Sequence, residues 1–258
     1  MHRNSTAPAR RSLRITLIVV LVLVVAVFLL AFKLRYGMAN EAFPSSSTDP
    51  IMPSGSLEQV AELPQPPGNI VVSADGRIFF NYHPEARPDL KVFEWVNGRP
   101  EPFPNAEFQH RRGSGDPHFQ TPFGLRIDDQ GRLWILDSGL FGFQQPRLLA
   151  FDIQTRALVH QWDMPRSIAG PGSYVQDFHV SRDGRHIYLA DVSPLPLSPA
   201  IIVYDSQTGQ ARRVLEKHAS VSPTPFVVNA KGKKMAMLGG LLHMNPGIDP
   251  IALDHEGE

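Results

Sequence analysis

Apolar positions along the chain come in two kinds of run, one long and unbroken, the other short, paired and recurrent. The recurrent kind appears first over Asn69–Phe80 (NIVVSADGRIFF), again over Gly124–Asp137 (GLRIDDQGRLWILD) and a third time over Asp177–Asp191 (DFHVSRDGRHIYLAD). A fourth copy opens at Asp249 as DPIALDHEG. Each copy reads as an apolar strand, a polar turn closing on glycine, and a second apolar strand, which is the pattern of a β-hairpin. The turn glycines are Gly76, Gly131, Gly184 and Gly257, so the first two intervals are 55 and 53 residues and the third is 73.

A second repeated feature lies between the hairpins. Leu148–Val159 (LLAFDIQTRALV) matches Ile201–Arg212 (IIVYDSQTGQAR), and their Phe151-Asp152 and Tyr204-Asp205 pairs are again 53 residues apart. Lys91–Gly98 (KVFEWVNG) is a looser copy that ends in an Asn-Gly turn signal. One period therefore holds four strands, and recurrence of such units predicts an all-β chain built as a β-propeller. A blade cannot bury both faces alone, so its apolar residues must pack on neighbouring blades. Trp134, Phe151, Tyr188 and Tyr204 are assigned to that packing. Three units and the start of a fourth are visible, so the pattern predicts an incomplete ring over residues 57–258.

The long run is Ile15 to Phe32 (ITLIVVLVLVVAVFLLAF), without a charge and with Thr16 as its sole hydroxyl. As a helix it reaches roughly 27 Å, close to the ~30 Å hydrocarbon core of a bilayer, and Leu34 and Tyr36 extend it. The reading is a basic cytoplasmic tail (1–14), a transmembrane signal-anchor (15–36) and a Ser/Pro-rich linker (37–56). Arg3, Arg10, Arg11 and Arg14 before the span outnumber Lys33 and Arg35 after it, which favours a cytoplasmic N-terminus. The lipid bilayer is thus the first expected partner. The propeller is placed outside the cytoplasm on a bacterial inner membrane, or is secreted if the chain is cleaved near Ala39.

Composition sharpens this picture in two places. The 24 prolines and 20 glycines suit a turn-rich strand protein, and the absence of cysteine removes disulfides and thiolate chemistry. The formal charge is zero, but six basic residues precede the first acidic one, Glu41; without them 19 basic residues face 25 acidic ones. An acidic remainder argues against a nucleic-acid surface.

Particular segments resemble the major royal jelly and insect yellow protein family. They include Arg132–Gly139 (RLWILDSG) followed by Pro146–Asp152 (PRLLAFD), and Ile187–Asp191 (IYLAD) leading into Ala200–Asp205 (AIIVYD). Arg212–Leu215 with His218–Val221, Gly247–Leu253, and Asn97–Pro100 with Pro102–Asn105 fit as well. Pro250 stands where the family commonly has glycine. The resemblance spans residues 57–258 and implies a six-bladed propeller, normally secreted or extracytoplasmic. It implies storage, pigment-pathway or amine-binding roles rather than a defined reaction.

Propellers bind ligands at the mouth of the central channel. The pattern places Asn69, Phe123, Asp177 and Asp249 there at the first strands, joined by His83, Asp137 and Asp191 after the second strands. Asp137 and Asp191 have an alternative role, closing turns through side-chain to backbone bonds. Phe141 and Phe143 flank Gly142 in an apolar loop that either caps a small-molecule pocket or plugs the gap between blades. The expected ligand is a small cationic or aromatic molecule. The alternative function is metal-dependent lactone or ester hydrolysis of the gluconolactonase type, with calcium on Asp249 and Asp177. That chemistry lacks its early glutamate, since Gly68-Asn69 stands there, and Phe123 replaces an expected asparagine. His110 and His118 are too loosely spaced to read as a metal pair.

Overall fold

The computed structural model describes residues 7–36, 49, 51–110, 118–140, 142–193, 198–230, 232–237, 242–243 and 247–254. Its contacts divide the chain into two units, residues 1–47 with 224–245, and residues 48–223 with 246–258.

The first unit contains helix α1 (Ala7–Tyr36). Leu13–Leu34 is long and apolar enough to cross a membrane, by length and composition.

The second unit holds twelve strands in three sheets. The first sheet is β1 (Pro67–Val72), β2 (Ile78–Tyr82), β3 (Val92–Val96) and β4 (Arg99–Pro102). The second is β5 (Pro122–Ile127), β6 (Arg132–Asp137), β7 (Arg147–Asp152) and β8 (Leu158–Asp163). The third is β9 (Val175–Val180), β10 (His186–Asp191), β11 (Ala200–Asp205) and β12 (Ala211–Val214). Each is an antiparallel meander in chain order, which is the form of a propeller blade. The first strands β1, β5 and β9 are neighbours, so they line the axis. Two short ladders follow in the first unit: β13 (Asn229–Ala230) with β14 (Lys233–Lys234), and β15 (Ala236–Met237) with β16 (Leu242–His243).

Why these stretches become blades is visible in β6. Leu133 and Ile135 enter a cluster with Phe79, Val92 and Phe103 of the first blade. Trp134 and Leu136, on the opposite face, enter one with Phe178, Ile187 and Leu189 of the third. Alternate residues point to opposite faces of a strand, so a strand covered on both sides must be apolar throughout. The hairpin turns share one geometry. In the second blade the Gly131 N–H donates to the Asp128 carbonyl, and Gly131 has φ 72°, which a residue with a side chain adopts only with strain.

The strand pattern is matched at all three complete repeats. The fourth behaves differently. Residues 249–254 carry no strand ladder among the described residues, and residues 255–258 lie outside them.

Charged side chains pin the blades together. Glu94 of β3 is buried and accepts from Arg77 Nε at 2.6 Å and from Arg156 Nη2 at 2.7 Å, the latter reaching across from the second blade. Arg132 Nε meets Asp128 Oδ2 at 2.7 Å, and its Nη2 donates to the Gly184 carbonyl of the third blade at 3.2 Å.

Candidate functional site at the channel mouth

The register of the inner strands decides which side chains stand together. Asn69 of β1, Gly124 of β5 and Asp177 of β9 are equivalent, because each lies three residues before the strand's last paired position. Phe123 therefore sits one place ahead of the position at which the sequence pattern put it. Gly124 is required by packing: a Cβ there would come within 2.9 Å of the Phe178 ring.

Each inner strand carries a bulge near its start, where the register with the second strand shifts. In the first blade the Asn69 N–H donates to Asn81 Oδ1 at 2.7 Å, and Asn81 Nδ2 donates to the Pro122 carbonyl at 2.6 Å. One buried amide thus ties the first bulge to the second blade.

Asp137 and Asp191 turn out to be equivalent structural anchors. Both are fully buried. Asp137 accepts from the backbone N–H groups of Gln120 and Thr121 at 2.8 Å and from Arg147 Nη2 at 2.7 Å. Asp191 accepts from the Tyr174 N–H at 2.9 Å, the Ser173 hydroxyl at 2.9 Å and Arg213 Nη1 at 2.7 Å. The N–H groups of Gly139 and Ser193 complete the two sets. Their lone pairs are committed to protein donors, so the turn-closing alternative fits both residues and the ligand role does not. In the first blade Tyr82 occupies the equivalent place, opposite Pro67 as Asp137 is opposite Pro122.

Asp177 and Asp249 do come together. Asp177 Oδ1 is 2.9 Å from Arg126 Nη2, and its Oδ2 accepts from the Ile251 N–H at 3.0 Å. Asp249 accepts from the Gln176 side-chain amide. Burial, and then the nearby Asp177 charge, push the Asp249 carboxyl above its ordinary value. Arg126 also lies 3.5 Å from Asn69 Oδ1 and stands over the Phe178 ring, so this cation spans the inner strands of all three blades.

This arrangement is a poor fit for calcium. Both Asp177 oxygens already have donors, one of them a guanidinium, whereas calcium takes six to eight uncommitted oxygens. Among the described residues no three His, Asp or Glu side chains cluster as a metal site would require.

Aromatic rings form the other wall. His83 and Tyr174 each meet Phe123 edge-on at 5.6 Å, giving an arc with one ring from each blade. His83 is half-buried, and its Nδ1 accepts from the Glu85 N–H at 3.3 Å, capping a short helical turn. Burial raises the Tyr174 hydroxyl's pKa, and the charges of Glu85 and Asp249 add to the shift. Sequence reasoning passed over Tyr174 and Arg126. The signal for Arg126 was a charge inside an apolar inner strand, which needs a partner across the channel.

The 138–145 loop answers the question of cap or plug in part. Gly142 has φ 82° and lies against the Ser173 carbonyl of the third blade so closely that a Cβ would overlap it. The loop is pressed between blades at that point. Phe143 is 86% exposed and Phe141 lies outside the described residues.

Repeated four-stranded meanders, stacked through two apolar interfaces around a common axis, define a β-propeller protein with a polar and aromatic channel mouth. Residues 120–249 match the family model described as "Major royal jelly protein". The chain belongs to the major royal jelly and yellow protein family. Major royal jelly protein 6 of Apis mellifera is 30% identical over 52% of this chain and 30% of its own length. Protein yellow of Drosophila pseudoobscura pseudoobscura is 23% identical over 51% of this chain and 25% of its own length. The chain therefore spans about a quarter to a third of the curated relatives it matches. Among solved structures, the extracellular domain of the one-component system BT4673 from B. thetaiotaomicron aligns with a TM-score of 0.41 at 14% identity, covering 74% of this chain and 19% of that one.

Proposed function

We propose that this chain is an extracytoplasmic propeller protein, held at a membrane by α1, that binds a small aromatic cation at the channel mouth. The observation that supports the reading is the His83–Phe123–Tyr174 arc beside the Asp249 carboxylate. Aromatic faces attract a cation through their negative quadrupole, and a partly desolvated carboxylate neutralises it. Committed oxygens at Asp177 and the Arg126 guanidinium select against a metal and leave recognition to Asp249 and the rings.

The test is calorimetric titration of the full chain in detergent with tryptamine and with neutral indole. Tryptamine should bind saturably and at least tenfold more tightly than indole, and Phe123→Ala should remove most of that affinity. Equal binding of the two probes, or none, would refute the reading. The cysteine-free chain also allows a direct test of location. A Gln207→Cys variant, at an exposed turn, should react with a membrane-impermeant maleimide in intact cells.

A further inference from the structure

The two interfaces between blades share one plan but are filled with different chemistry. Phe151 of β7 and Tyr204 of β11 hold equivalent places, each opposite an apolar residue of the blade's second strand, Leu133 and Ile187. The ring that each meets from the preceding blade is Phe103 or Trp162. Phe103 and Phe151 touch edge-on at 5.8 Å, so two hydrocarbon rings satisfy the packing there. In the other interface Trp162 and Tyr204 lie parallel, 5° apart in plane and 3.9 Å between centroids. Tyr204, itself buried, places its hydroxyl 2.9 Å from His160 Nε2. Packing asks for none of these heteroatoms.

Together they are the parts of a one-electron site. Removing an electron from a phenol makes its hydroxyl strongly acidic, so the electron leaves readily only where a base takes the proton at the same moment. His160 is such a base. Burial and the Arg132 charge hold its imidazole below the ordinary 6.5, hence neutral with a lone pair to offer. Burial and the Asp205 charge keep the Tyr204 hydroxyl protonated. Parallel contact couples the Tyr204 ring to Trp162, which at 8% exposure against 2% has the more accessible edge. Enclosure of Tyr204 keeps a radical there from meeting a second one.

We infer that Tyr204 is a redox-active residue, oxidised through Trp162 by a diffusible one-electron oxidant, with His160 as its proton acceptor. The oxidant gains one electron; Tyr204 loses one, and its hydroxyl proton passes to His160 Nε2. A neutral tyrosyl beside an imidazolium results. A one-electron reductant such as ascorbate reverses both transfers. None of these residues belongs to the channel mouth, so the inference stands apart from the ligand reading.

The test is flash photo-oxidation of the full chain in detergent, with ruthenium tris(bipyridine) and a cobalt(III) ammine quencher, read by electron paramagnetic resonance after freezing. The parent should give a tyrosyl signal that narrows when the chain carries ring-deuterated tyrosine. Tyr204→Phe keeps the ring that the fold already accepts at Phe151. It should lower the signal at least threefold while the urea midpoint at neutral pH changes little. His160→Gln, which removes the base but keeps a hydrogen-bonding side chain, should lower it by a similar factor, and Trp162→Phe should slow its appearance. A signal undiminished in Tyr204→Phe, or a tryptophanyl signal alone in the parent, would overturn the inference. So would a His160→Gln chain that forms the tyrosyl as fully as the parent.

Discussion

The Arg126 guanidinium of β5 stands 2.9 Å from the Asp177 carboxylate of β9, joining the inner strands of adjacent blades by charge. The two side chains are 23% and 16% exposed, so water screens the pair only in part. Arg126→Met leaves the Asp177 charge unpaired beside Asp249, at an expected cost of about 1–2 kcal/mol after allowing for that screening. Urea denaturation of the full chain measures it. Adding Asp177→Asn to the same chain should recover part of the loss; a purely additive double variant would show that the two groups are not coupled.

Asp137 and Asp191 should behave as stability residues. Either one changed to alanine strands buried backbone donors and an arginine, at a cost of about 3–5 kcal/mol. Asparagine, which keeps one acceptor oxygen, should cost less. The folded fraction should still bind tryptamine as the parent does. A loss of stability below about 1 kcal/mol would mean that the donors find other partners.

His160 gives the chain a pH-dependent stability. Its Nε2 lies 2.9 Å from the Tyr204 hydroxyl, and burial, with the Arg132 charge, lowers its pKa below the ordinary 6.5. As pH falls through 6.5 the unfolded chain takes up a proton that the folded one resists, so stability declines on acidification and is fully retained above that value. The urea midpoint should drop as the pH is taken below 6.5, the ordinary value from which the folded-state pKa is lowered. His160→Gln should flatten that part of the profile relative to the parent.

Ligand affinity should follow Asp249. Its carboxyl is raised above 3.8 by burial and by Asp177, so it takes up a proton at a higher pH than a free aspartate would. Tryptamine affinity should therefore weaken on acidification before ordinary carboxylates titrate, and Asp249→Asn should be weak at every pH. An unchanged profile in that variant would place the cation elsewhere.

Much of the fold was legible in the pattern of the chain. Leu133-Trp134-Ile135-Leu136 is apolar at every position because both faces of β6 are covered, and that continuous run, repeated at a near-constant interval, marks a blade strand. The family resemblance was legible for the same reason, since blade spacing and blade motifs are local. The site was less so. Asp137 and Asp177 look alike in one dimension, each acidic at the end of a hairpin strand. Asp137 is enclosed by donors from Gln120, Thr121 and Arg147, whereas Asp177 meets Arg126 and Ile251 from other units of the repeat.

Periodic apolar runs and turn glycines by themselves determined that the chain forms four-stranded units, and an uncharged N-terminal block determined a helix able to cross a membrane. Those are properties of segments, settled by which surfaces must leave water. Only the tertiary structure decided which carboxylates are spent as anchors and which rings gather at the channel. That choice depends on bulges that shift each inner strand and on partners brought in from other strands, ten to twenty-two residues away for Asp137 and Asp191 and more than fifty for Asp177, and short-range pattern holds no record of either.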